Sequence, residues 1–306
     1  MSRYSEIFNQ SIENKEVFWN EVAKDVIWYE PYDKVLHTDK PPFYRWYKNG
    51  KINTCYNALD RHVDEGNGER LALIYDSPIT NSKETFTYSI LRDRVAVIAG
   101  ALKQQGVLKG DRVIIYMPMI PEAVMAMLAC ARIGAVHSVV FGGFAAAELA
   151  NRIDDSEAKL ILTASCGIEP GRIVEYQPLI NEAIKIAKHK PSASIFFQRE
   201  QKKIVLENNQ LDWNDFIKNI DPAECEVMDA NDPAYILYTS GTTGTPKGIV
   251  RDIGGHIVAL KWTMKNVYNI DPGDVWWSAS DIGWIVGHSY IVYAPLFHGC
   301  TTVLFE

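Results

Sequence analysis

An α/β fold with a mostly parallel sheet and flanking helices is what this sequence predicts, and three observations carry that expectation. From residue 87 onward, segments with apolar residues at helical spacing alternate with short runs rich in Val, Ile and Leu. Glycine and proline mark most of the junctions. The helical segments between strands are long enough for the right-handed crossovers that join parallel neighbours.

Residues 1–66 stand apart from this alternation. They are rich in Trp, Tyr and charge, hold a helix-like stretch at 14–26, and continue through Pro31, Pro41, Pro42 and Trp46. Such a piece reads as a cap lying on a larger body, and Gly66 and Gly68 punctuate its end. In the body, residues 67–306, Thr87 is placed to cap a helix over 88–105 whose apolar face is Leu91, Val95, Ile98, Ala99 and Leu102. Gly106 and Gly110 end it, and residues 111–116 read as a buried strand. Pro121 suits a first helical position, and Gly134 closes that helix. Strand 135–141, helix 145–155, strand 159–163, helix 178–190 and strand 194–198 follow. Then come strand 234–239, helix 254–268 with Ile257, Leu260, Met264 and Val267 on one face, and strands 275–279 and 301–305.

Composition narrows the function classes. Hydrophobic residues at 47% and charged residues at 23% exclude a disordered or fibrous chain. A net charge of −7 argues against a nucleic-acid or anionic-membrane partner. Cys55, Cys130, Cys166, Cys225 and Cys300 are scattered and form no Cys-x-x-Cys pair, so a reduced protein without a zinc cluster is expected. The N-terminus carries no apolar signal core, and the most apolar stretch, 117–136, is interrupted by Pro118, Pro121, Glu122 and Arg132. The expected compartment is the cytoplasm, or the mitochondrial matrix if a longer N-terminus exists in the parent.

The densest chemical signal is Thr239-Ser240-Gly241-Thr242-Thr243-Gly244-Thr245-Pro246-Lys247, directly after the strand 234–239. Glycine permits close backbone approach to a ligand, small hydroxyls donate hydrogen bonds, and lysine adds a point charge. Successive free N–H groups in such a loop suit a polyphosphate. It is not a Walker loop, because Pro246 stands where that pattern needs its second glycine.

This stretch resembles the phosphate-binding signature of the adenylate-forming enzymes. The runs from Asp271 to Trp277, Asp281 to Tyr290 and Gly299 to Glu306 resemble the short-chain acyl-CoA synthetase branch, as does Asn57 to His62. Residues 249–265 look closer to propionyl-CoA than to acetyl-CoA synthetases. The likeness covers nearly the whole chain. It implies the first part of an adenylating large domain behind an N-terminal cap, and a reaction of propionate, ATP and CoA giving propionyl-CoA, AMP and pyrophosphate through an acyl-adenylate. Acetate is the alternative acid.

By resemblance, Thr239 to Lys247 grips the β- and γ-phosphates. Trp284, Ile285, Val286 and His288 line the acyl pocket, while Gly171, Arg172 and Val286 meet CoA. His288 is read as lining because a carboxylate substrate is already ionised at neutral pH and needs no base. His256 and His298 read as structural, and Trp276 and Trp277 as core aromatics. The sequence departs from the acetate-using pattern twice. Glu169 replaces the first of two arginines, leaving Arg172, which stands equally for a solvated loop charge. Val286 replaces a threonine. The magnesium ligand, the catalytic lysine and the mobile C-terminal domain are expected beyond residue 306, so no catalytic residue falls within the chain. The expectation is therefore a partial synthetase, inactive alone, whose partners are its small-molecule substrates. Self-association or pairing with a full-length enzyme is the further possibility, and a non-catalytic nucleotide-binding or regulatory role is the alternative of another class.

Overall fold

The computed structural model describes residues 3–239 and 246–306. Its centre is a seven-stranded sheet in the order Gln210–Asp212, Ala193–Phe197, Leu160–Ala164, Arg112–Tyr116, Val136–Val139, Pro233–Thr239, Lys247–Asp252. Every neighbouring pair is parallel except the last, which is antiparallel. A second sheet of four strands runs Val275–Trp277, Thr301–Phe305, Leu71–Ser77, Ser82–Thr87, with only the Leu71–Ser77/Ser82–Thr87 pair antiparallel. Mostly parallel sheets with crossover helices follow from strands apolar on both faces, and Val113, Ile114 and Ile115 are all fully buried.

The helices follow the apolar pattern. Leu91, Val95, Ile98, Ala99 and Leu102 are buried in Tyr88–Gln104, whose first turn is capped by the Thr87 hydroxyl accepting from the Ile90 N–H at 3.2 Å. Pro121 opens Pro121–Arg132 at the first turn, where a missing N–H costs nothing. In Ile253–Asn266 the residues Ile257, Leu260 and Met264 are buried, whereas Val267 lies beyond the helix end and is exposed.

Other elements escaped the pattern. Lys247–Asp252 is an edge strand with Ile249 and Val250 exposed, so no inward/outward alternation marks it. The antiparallel pair Cys166–Glu169 and Arg172–Glu175 turns through Gly171 at φ +79°, and Gln210–Asp212 adds a sheet edge. Arg3–Glu13 is helical but buries nothing. Trp277, expected in the core, is exposed and meets the Phe305 ring edge-on. Trp276 instead donates its indole N–H to the Tyr290 carbonyl at 2.7 Å.

The N-terminal layer is fastened to the body by aromatic and backbone contacts. Phe18 and Trp19 pack edge-on against Trp262 of Ile253–Asn266. Lys51–Ile52 pairs with Met228–Asp229, and the Asn53 amide donates to the Glu226 carbonyl at 2.8 Å.

Candidate functional site

The ladder between Pro233–Thr239 and Lys247–Asp252 runs out to the Thr239–Lys247 pair. Both ends of the hydroxyl–glycine run are therefore held at one point of the sheet edge. Ser240, Gly241, Thr242, Thr243, Gly244 and Thr245 lie outside the described residues, so their predicted phosphate contacts rest on sequence. Pro246 is half-buried and the Lys247 residue is exposed.

The last strand turn before this run is tied down by charge and rings. Tyr238 donates its hydroxyl to Asp155 Oδ2 at 2.7 Å. The Arg152 guanidinium lies 5.2 Å from the Tyr238 ring centre and 4.8 Å from that of Phe144, and it also donates to Glu148 Oε2 at 2.8 Å. Burial and then the Asp155 carboxylate push the Tyr238 hydroxyl above the usual phenol range.

Phe144 continues the chain of contacts to Trp284, edge-on at 6.3 Å, and Phe141 meets the same indole at 6.2 Å. The segment carrying both phenylalanines is fixed by the Tyr116 hydroxyl, which donates to the carbonyls of Gly142 at 3.1 Å and Phe144 at 2.8 Å. Trp284, Ile285 and Val286 are 48%, 48% and 47% exposed, forming an open apolar face beside Phe141 and Phe144.

His288 is not on that face. It is 0% exposed, stacked on His137 at 5.5 Å and close to the Tyr235 ring, so its ring does not reach the open surface. The reason is local. Residues 284–288 enter a helix whose backbone packs so closely on Asp281 that a Cβ at Gly287 would lie 1.9 Å from the Asp281 carbonyl oxygen. Gly287→Ala is accordingly expected to destabilise by about 3 kcal/mol or more through overpacking. A urea unfolding curve reads this, and a shift below about 1 kcal/mol would contradict the close approach. Burial pushes the Asp281 carboxyl up from its ordinary range, while the Gly283 N–H donating to it at 2.6 Å opposes the shift.

His256 and His298 hold structural positions. The Tyr235 hydroxyl is 3.3 Å from His256 Nε2, and His298 Nε2 is 2.9 Å from the Ile270 carbonyl. Gly171 and Arg172 sit on the exposed hairpin, where Arg172 Nε donates to Glu169 Oε2 at 2.8 Å. Glu169 thus occupies the Arg172 guanidinium in this structure.

A cavity of about 800 Å³ opens beside Tyr238 and Pro246, where Glu148, Asp154, Asp155 and Glu157 share the wall with Arg152 and Lys188. Sequence reasoning missed Phe141, Phe144, Arg152 and Tyr238. The only signal for Arg152 was its i,i+4 spacing from Glu148, which fits any exposed helix.

Comparison with known proteins supplies the context for this geometry. The profile described as "AMP-binding enzyme" matches residues 59–306, and that described as "Acetyl-coenzyme A synthetase N-terminus" matches residues 4–58. The chain is 50% identical over 307 residues to human "Acyl-CoA synthetase short-chain family member 3, mitochondrial", covering 100% of this chain and 45% of that protein. It is 45% identical over 306 residues to the "Propionate--CoA ligase" of Salmonella typhimurium, covering 99% of this chain and 49% of the relative. Acetoacetyl-CoA synthetase from Streptomyces lividans superposes with a TM-score of 0.90 at 27% identity, over 100% of this chain and 46% of that one. The chain spans about half the length of the curated relatives it matches. With a family profile matched across four-fifths of its residues and one continuous α/β body carrying the site, this chain belongs to the AMP-binding enzyme family.

Proposed function

We propose that this chain forms the phosphate-gripping and acyl-holding part of an ATP-dependent ligase that joins a short-chain carboxylate to coenzyme A. Propionate is the first choice of acid, supported by the name of the Salmonella relative, and acetate is the alternative. The observation that carries the reading is the Thr239–Lys247 pair at the end of the ladder, which brings the lysine to the mouth of the hydroxyl–glycine run.

In the first half-reaction a carboxylate attacks the α-phosphate and pyrophosphate leaves. The barrier is largely electrostatic, since two anions approach while charge builds on phosphorus. Donors at Thr239, Ser240, Thr242, Thr243 and Thr245 would hold the β- and γ-phosphates, and Lys247 would neutralise the leaving pyrophosphate. Trp284, Ile285 and Val286 offer an apolar wall for a short acyl chain, where each methylene accepted or refused is worth roughly 1–3 kcal/mol. Gly171, Arg172 and Val286 are proposed to meet CoA, with Arg172 first releasing Glu169.

Magnesium would accompany ATP and screen its phosphates. The grouping of possible ligands found among the described residues, Cys55, Asp60 and Cys225, is thiol-rich and does not fit a cation that takes oxygen ligands. A non-catalytic, partnering role is favoured by one observation, the exposed Val275, Trp277 and Phe305 along one sheet. The cytoplasm is the proposed compartment; the matrix is the alternative, supported by mitochondrial relatives, and no helix among the described residues is long and apolar enough to cross a membrane.

Equilibrium dialysis of Mg-ATP against the purified chain tests the reading. The wild type is expected to bind, and Lys247→Ala to bind about tenfold more weakly, a loss of about 1.4 kcal/mol. Identical binding by the two proteins would remove the lysine's assigned role. Propionate-dependent ATP–pyrophosphate exchange on the same chain is expected at background, and clear exchange would overturn the expectation that the chain is inactive alone.

A further inference from the structure

Five cysteines spread over the sequence include two that the fold brings together. The sulfurs of Cys55 and Cys225 and a carboxylate oxygen of Asp60 all lie within 4.8 Å of one another. The two cysteines belong to different parts of the molecule. Cys55 lies in the stretch matching the synthetase N-terminus and Cys225 in the AMP-binding body. We propose that Cys55 and Cys225 form a reversible disulfide that fastens the N-terminal layer to the body.

The two thiols are placed for exchange, although the hydrogen bond with Cys55 and then burial push the Cys225 thiol up from its ordinary range, so the reaction is favoured by alkaline pH. Cys225 is half-buried on an irregular stretch between Trp213–Phe216 and Met228–Asp229, whereas Cys55, Cys130, Cys166 and Cys300 are buried. A small oxidant therefore enters at Cys225. Its thiol donates to Asp60 Oδ2 at 3.6 Å, which gives the departing proton an acceptor. Arg132 Nη1 donates to Cys55 Sγ at 3.6 Å, which holds that sulfur beside Cys225. The backbones are already registered, because Ile52 pairs with Met228 and Asn53 donates to Glu226.

The oxidant is a low-molecular-weight disulfide such as oxidised glutathione. The Cys225 thiolate attacks one of its sulfurs, forming a mixed disulfide and releasing one small thiol. The Cys55 thiolate then attacks Cys225 Sγ, breaking the mixed bond and releasing the second small thiol. Two protein thiols are oxidised and one small disulfide is reduced to two thiols. The new bond closes a loop of about 170 residues, which restricts the unfolded chain strongly.

A metal site is the competing use of the same cluster. Arg132 Nη1 lies 2.7 Å from Asp60 Oδ2 and its Nε donates to the Ala223 carbonyl at 2.5 Å, so a held guanidinium stands where a cation would have to sit.

The test uses the intact chain treated with excess oxidised glutathione. Free thiols should fall by two from the five present, non-reducing peptide mapping should recover a Cys55–Cys225 linkage, and dithiothreitol should reverse both. The oxidised form should melt at a higher temperature. Cys225→Ser should keep all its remaining thiols under the same treatment. An unchanged thiol count, a linkage between other cysteines, or a glutathione adduct left standing on Cys225 overturns the proposal. So does stoichiometric zinc binding to wild type, given zinc alone, that Cys225→Ser abolishes. None of these outcomes depends on nucleotide binding.

Discussion

Titrated downward from neutral pH, the protein is expected to unfold near pH 5, well above the range in which carboxylate protonation alone denatures a domain. Four of the buried imidazoles dominate this. His137 and His288 are fully buried and His256 nearly so, packed among Tyr235 and Tyr293. The Tyr293 hydroxyl lies 3.1 Å from His137 Nε2. His62 is buried beneath Tyr88, its Nε2 2.8 Å from the Leu296 carbonyl. Burial pushes His288 down to about 4, His256 and His62 down to about 3, and His137 well below its ordinary range.

Because these folded pKa values lie below those of the unfolded chain, the unfolded state binds more protons once pH falls under about 6.5. Stability is thus full above pH 6.5 and declines steadily toward pH 4. Each group contributes about 1.4 kcal/mol per pH unit in that window. The four act in one direction, while Glu122, whose carboxyl burial pushes up to about 7, acts in the other over the same window, so the net loss at pH 5 is a few kcal/mol, a large share of a typical domain's stability. Circular dichroism and tryptophan fluorescence from pH 7.5 to 3.5 read the midpoint. His288→Leu, at a ring whose nitrogens meet no hydrogen-bond partner at bonding geometry, should flatten the pH dependence by about one proton. A midpoint below pH 4, or an unaltered slope in the variant, would sink the argument.

The second large effect concerns the ion pair between Arg199 and Glu306, whose side chains are only 4% and 6% exposed. Arg199 Nη2 donates to Glu306 Oε2 at 2.8 Å, and the same oxygen accepts from the Tyr75 hydroxyl at 2.5 Å and from Ser77 at 3.0 Å. Arg199 follows a strand of the seven-stranded sheet, while Tyr75 and Ser77 belong to the four-stranded one, so the carboxylate bridges the two. Arg199→Met should cost about 3–5 kcal/mol because it leaves a buried carboxylate without its cation. Adding Glu306→Gln should recover part of that loss, since a neutral amide no longer needs the cation. Denaturant unfolding of the two single variants and the double variant measures the coupling. Strict additivity would show that the pair acts as two independent surface charges.

Local pattern was enough for much of the scaffold. The face Leu91, Val95, Ile98, Ala99, Leu102 and the cap at Thr87 are properties of neighbouring residues, so they stand in the folded helix as they stand in the string. Lys247–Asp252 was not legible, because an edge strand exposed on both sides has no apolar alternation to show. Phe141, Phe144 and Arg152 were not legible as site residues for a different reason. Each reads as an ordinary aromatic or an ordinary helix charge until the 141–144 segment folds against Trp284 and Tyr238.

From the string alone came the α/β class, the crossover helices, the hydroxyl–glycine run with its lysine, and the family that these imply. All depend on residues close in sequence, whose spacing acts through backbone geometry. Only the tertiary structure decided that His288 turns inward, that Glu169 occupies Arg172, and that Cys55 meets Cys225. Those outcomes depend on which distant segments share the interior, and burial and charge pairing act between residues that sequence distance does not order.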